Sequence, residues 1–158
     1  MTLKGFLLAA VALFGVVGAV RAAPPAALAP VEGRVVWVDF WASWCVPCRR
    51  SFPWLNTIHR KYGPAGLQII AVNLDKDRSL ADKFLAEVPA EFALRFDPAG
   101  ALAKEFEVQA MPSSFLLDAD GNVLESHFGF RTADMAEYEK GIEAALAKSQ
   151  SQAKEAAR

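Results

Sequence analysis

Hydrophobic residues change their spacing several times along this chain, and each change marks an element. Phe6 to Val20 is an uncharged apolar run, and Ala22 to Pro30 is rich in Ala and Pro, the composition of an extended linker. Val35 to Phe40 is apolar throughout except for Asp39. A run without alternation predicts a central strand buried on both faces. The spacing then becomes helical from about Cys45 to Tyr62, with Pro53 expected to kink the helix and Gly63-Pro64-Ala65-Gly66 to end it. Leu67 to Leu74 is a second apolar strand. Ser79 with Asp82 resembles the start of a capped helix running to about Glu87. A short strand is expected over Ala93 to Phe96 and a short helix over Pro98 to Phe106.

The last third changes character. Ser113 to Leu117 and Val123 to Phe128 flank the turn Asp118-Ala119-Asp120-Gly121 and predict an antiparallel hairpin. Thr132 is expected to cap a helix reaching about Lys148, with Ala136, Ile142, Ala145 and Leu146 on its buried face. The polar segment Ser149 to Arg158 is expected to fray. There are no internal repeats. The order β-α-β-α-β-α, hairpin, helix predicts an α/β domain with a mixed sheet covered by helices.

Charge and length narrow the class. The first 22 residues have the pattern of an export signal: Lys4, the apolar core, then Val20 and Ala22 as small residues before a cut after Ala22. About 15 apolar residues are fewer than a comfortable bilayer span needs, which favours cleavage over an uncut anchor. No cysteine follows the core, so a lipid-anchored form is excluded. The expected organisation is a leader over 1–22, a linker over 23–31, a domain over 32–148 and a polar tail over 149–158. The net charge of −1 becomes −3 once Lys4 and Arg21 are removed, and no basic run remains to support nucleic-acid binding.

The chain has two cysteines, and both lie in Trp44-Cys45-Val46-Pro47-Cys48, where a strand feeds a helix. That placement marks a redox dithiol. Structural zinc needs about four ligands, and only His59 and His127 add to this pair; haem attachment would need a histidine where Arg49 stands. No metal or cofactor is therefore expected. At a helix N-terminus, outward-pointing N–H groups and the macrodipole favour a thiolate on Cys45, with Arg49 and Arg50 adding positive potential. Cys45 is thus the attacking sulfur, and Cys48, one turn deeper, the resolving one. Pro47 is tolerated in a first helical turn and stiffens the loop. Trp44 beside the dithiol, with Val46 and Pro47 between the sulfurs, forms the surface a substrate would meet. Asp39 stands apart, because a carboxylate in an apolar strand is costly unless it is neutral or has work to do.

The segments VDFWASWCVPCR (Val38 to Arg49), VNLD (Val72 to Asp75) and AMPSSFLLDADGNV (Ala110 to Val123), with Gly129 beyond, resemble a thioredoxin-fold protein. They are similar in particular to the TlpA/ResA group of exported thiol–disulfide oxidoreductases. The resemblance covers roughly Glu32 to Lys148. It implies a cis peptide between Met111 and Pro112 facing the dithiol, leaving the Met111 backbone free to pair with an extended substrate segment. It also implies that Asp39 matches the buried acid of thioredoxin behind the resolving cysteine, with a raised pKa and a role as proton acceptor for Cys48. Ala71 replaces the lysine that pairs with that acid in thioredoxin, which should raise the pKa further. Many TlpA/ResA-like proteins carry asparagine at this position and a glutamate elsewhere, which leaves the proton path open. The family's N-terminal hairpin has no room in Pro24 to Glu32.

The function implied is a monomeric periplasmic reductant of specific protein disulfides, in cytochrome c maturation or copper-site loading, re-reduced by a membrane electron donor. A disulfide-donating oxidant is the alternative. A copper-binding module using His127 or Met111 as a third ligand is a further one.

Overall fold

The structure, a computed structural model, describes Leu28 and residues 34–158. The expected leader, and the expected linker apart from Leu28, lie outside those residues. The described chain runs β1 (Val35–Trp41), α1 (Val46–Tyr62), β2 (Leu67–Asn73), α2 (Arg78–Glu87), β3 (Ala93–Phe96), α3 (Ala101–Glu105), β4 (Ser113–Leu117), β5 (Val123–Phe128) and α4 (Met135–Ala156). The strands form one mixed sheet in the order β3-β2-β1-β4-β5. β1 pairs parallel with β2 and antiparallel with β4, and β2 and β3 are also parallel.

All seven residues of β1 are buried, as a central strand without alternation requires. Its pleat sorts them into two cores. Trp37 and Trp41 pack with Cys48, Phe52, Leu55, Ile58, Phe84 and the α4 residues Tyr138, Ile142 and Leu146. Val36, Val38 and Phe40 pack on the opposite face with Ile70, Val72, Leu102 and Phe115. Leu28, expected in a linker, is fully buried in this second core.

Helix ends differ from expectation where a neighbouring side chain competes better for free N–H groups. Asp77, not Ser79, caps α2: its Oδ1 accepts the Ser79 N–H at 2.9 Å. α3 is shorter than Pro98 to Phe106, and the Asp97 carboxylate accepts the N–H groups of Ala101 and Ala103. Thr132 opens a short 3-10 turn rather than capping α4. Ala136 is exposed, and Tyr138 takes the buried position instead, 5.5 Å from Trp54 between ring centroids. α4 also continues past Lys148 to Ala156, because Ser149 to Ala156 contains neither Gly nor Pro. The buried face, not the helix, ends near Leu146.

Candidate active site

The two cysteines sit where the most buried strand hands over to α1. Cys45 is the N-cap of that helix, and Pro47 lies in its first turn. The Cys45 N–H donates to the Ala42 carbonyl at 3.0 Å, which closes the turn leaving β1. The Cys48 N–H points at Cys45 Sγ from 3.2 Å. The sulfurs are joined in a disulfide with a Cα separation of 5.3 Å. Once the bond is opened, the same N–H and the helix N-terminus face any negative charge that develops on Cys45. Arg49 adds less than its position promises, since it reaches back to Glu87 at 2.7 Å and lies over the Phe84 ring.

Exposure divides the motif. Both cysteines are buried, Cys45 at 3% and Cys48 at 0% exposure, whereas Trp44 is 70% and Val46 64% exposed. Two large apolar side chains thus stand in solvent on either side of Cys45, with Pro47 half-buried next to them. Trp41, which flanks the motif in sequence and could have joined that surface, is wholly buried and packs on Phe52 and Phe84. Met111 packs against the cluster containing both cysteines. The Met111–Pro112 peptide is cis, and the Pro112 carbonyl accepts from the Gly129 N–H at 2.7 Å.

Asp39 lies between Trp37 and Trp41 on the face of β1 that α1 covers, and it is 1% exposed. Its Oδ1 accepts the Ser114 hydroxyl at 2.6 Å across the β1–β4 ladder. Its Oδ2 has no hydrogen-bond partner among the described residues. Burial dominates and pushes its pKa up to about 7, against the lowering pull of Ser114 and Trp37.

Two features are not legible in the local sequence. The Asp75 carboxylate is a clasp on the loop before the dithiol, accepting the Ser43 N–H and hydroxyl, both at 2.9 Å, and the Asn73 side-chain amide at 2.8 Å. The signal was present in Asn73-Leu74-Asp75 at the end of an apolar strand, but nothing local names Ser43 as the partner. His127, on the edge strand β5, is half-buried. It stacks on Trp37 at 5.5 Å, contacts Tyr138 and meets Glu125 at 3.1 Å.

Comparison with known proteins agrees with this geometry. The model of the Redoxin family matches residues 25–146. The thiol-disulfide oxidoreductase ResA of Bacillus thuringiensis subsp. konkukian is 33% identical over 112 residues, covering 70% of this chain and 65% of its own. The chain therefore spans slightly less than two thirds of that relative's length. Among solved structures, a candidate DsbE-type thiol:disulfide interchange protein from Chlorobium tepidum is 53% identical with a TM-score of 0.72, covering 73% of this chain and 82% of its own. StoA from Bacillus subtilis is 26% identical with a TM-score of 0.61, over 69% of this chain and 84% of its own. The mixed sheet with its flanking helices and C-terminal helix is a thioredoxin-like fold.

Proposed function

The chain belongs to the Redoxin family, and from that premise we propose that it is a thiol–disulfide oxidoreductase acting through Cys45 and Cys48. The observation that carries the reading is a disulfide placed across the N-terminus of α1, with Cys45 at the N-cap and Cys48 one turn deeper in the helix.

In the reduced form, the Cys45 thiolate attacks one sulfur of a substrate disulfide. The substrate S–S bond breaks, a Cys45–substrate bond forms, and the other substrate sulfur leaves as a thiolate. Cys48 then gives its proton to Asp39, attacks Cys45 Sγ and releases the second substrate thiolate. Two electrons pass from the dithiol to the substrate, leaving the Cys45–Cys48 disulfide. A pKa near 7 suits Asp39 to accept that proton near neutrality. Trp44, Val46, Pro47 and Met111 offer an apolar collar, and the Met111 backbone offers pairing to an extended segment that carries the disulfide.

We place the protein outside the cytoplasm on the leader-like first 22 residues, as a reductant re-supplied by a membrane electron donor. The resemblance of VDFWASWCVPCR and AMPSSFLLDADGNV supports substrates of cytochrome c maturation or copper sites. The reading is tested with the Cys48→Ser protein, which should accumulate mixed disulfides through Cys45 that Cys45→Ser cannot form. Failure to trap any protein disulfide, together with no reduction of insulin by the wild type, would refute it. A reduction potential below about −220 mV fixes a reductant, whereas one near about −120 mV makes the protein a disulfide donor instead.

A further inference from the structure

Asp39 and Ser114 are directly opposed in the β1–β4 register, and both are buried. The Ser114 hydroxyl donates to Oδ1 at 2.6 Å, while Oδ2 is enclosed without a hydrogen-bond partner among the described residues. Among the described residues, the Trp37 indole on the same strand also pulls on this carboxyl, without closing a hydrogen bond to Oδ2. β2 presents Ala71 opposite it, β1 flanks it with Trp37 and Trp41, and α1 contributes Cys48 and Phe52 to the same core. His127 of β5 and Tyr138 of α4 face this region through the Trp37 ring. Asp75, beyond the end of β2, is committed to Ser43 and Asn73.

We infer that Ser114 is a positioning residue that decides which oxygen of Asp39 takes the proton given up by Cys48. The inference rests on the functional reading above, in which Asp39 is the acceptor. A hydroxyl that donates to Oδ1 occupies that oxygen and favours the ionised carboxyl. The incoming proton therefore goes to Oδ2, the oxygen with no partner. Cys48 becomes a thiolate as Oδ2 becomes O–H, and the Ser114 hydroxyl keeps its own proton. Ser114 thereby limits how tightly the acid holds the proton, so that Asp39 can release it for the next cycle. Without the hydroxyl, burial acts unopposed by this bond and the carboxyl keeps its proton to higher pH.

The experiment is a carboxyl carbon-13 NMR titration of the oxidised protein as wild type, Ser114→Ala and Ser114→Thr, with the Asp39 signal assigned by its loss in Asp39→Asn. Neither cysteine titrates while the disulfide is closed. Ser114→Ala should bind the Asp39 proton about tenfold more tightly, moving its titration about one pH unit towards alkaline. Ser114→Thr, which keeps the hydroxyl, should titrate like the wild type. The pH profile for release of the trapped substrate thiol should move by the same amount in Ser114→Ala and not in Ser114→Thr. An unmoved titration in Ser114→Ala, an equal displacement in both variants, or a rate lowered equally at every pH would overturn the inference. The titration does not depend on turnover. A titration that stays in place therefore sinks the role of Ser114, whereas absence of disulfide reduction by the wild type sinks the functional reading.

Discussion

Replacing Asp39 by Asn tests whether a buried, titrating carboxyl sits in the middle of β1. The side chain keeps its shape and an oxygen to accept from Ser114, but it no longer ionises. In the folded protein the carboxyl holds its proton up to about pH 7, against an ordinary aspartate value of 3.8. Below the lower value both folded and unfolded chains are protonated, and the group has no pH-dependent effect. As pH rises through that window the unfolded chain releases its proton while the folded one retains it, so native stability falls, levelling off above about 7. Each pH unit between the two values is worth about 1.36 kcal/mol, so the whole effect is about 4 kcal/mol, and the part lying between about pH 5 and 8 is about 2.5 kcal/mol. Groups common to the two proteins cancel in the difference, and the closed disulfide removes the cysteines from the titration. Equilibrium urea denaturation of both oxidised proteins at about pH 5 and pH 8 measures it. Asp39→Asn should gain about 2.5 kcal/mol on the wild type over that interval. A gap that stays constant to within about 0.5 kcal/mol would refute the argument, because it would mean that Asp39 titrates alike in both states.

Two further outcomes follow from the surroundings of the dithiol. Asp75→Ala strips the acceptor from two Ser43 donors and the Asn73 amide; it should destabilise the domain by about 2–4 kcal/mol in denaturant titration and slow substrate reduction by loosening the turn before Cys45. Trp44→Ser removes a side chain that is 70% exposed; stability should change by no more than about 0.5 kcal/mol while KM for a protein disulfide rises, and an unchanged KM would remove Trp44 from the docking surface.

The sequence was most legible where periodicity and local chemistry agree. The β1 run, the helix opening at Cys45 and the hairpin around Gly121 each follow from a few adjacent residues, and the observed elements match them closely. It was least legible where the deciding partner is distant. Asp75 reaches Ser43 across 32 residues, and Asp39 meets Ser114 across 75, pairings set by sheet order that no spacing rule supplies. Helix ends failed for a different reason. Asp77 and Ser79 are both good caps, and the choice falls to whichever carboxyl or hydroxyl the turn points at the free N–H. Tyr138 rather than Ala136 is buried because α4 faces Trp37 and Trp54, against which an aromatic ring packs and a methyl group would not reach. His127 owes its place to the same aromatic cluster.

The central position of β1 has a consequence for how the molecule breathes. Both its edges are hydrogen-bonded to neighbouring strands and both its faces are covered, so its amides can exchange with solvent only when the whole sheet comes apart. The dithiol is rooted directly in that slowest-opening segment, while Trp44 and Val46 stand one step outside it. Redox cycling is therefore decoupled from local unfolding. The sulfurs can be joined and parted many times while the strand beneath them remains the last part of the protein to open.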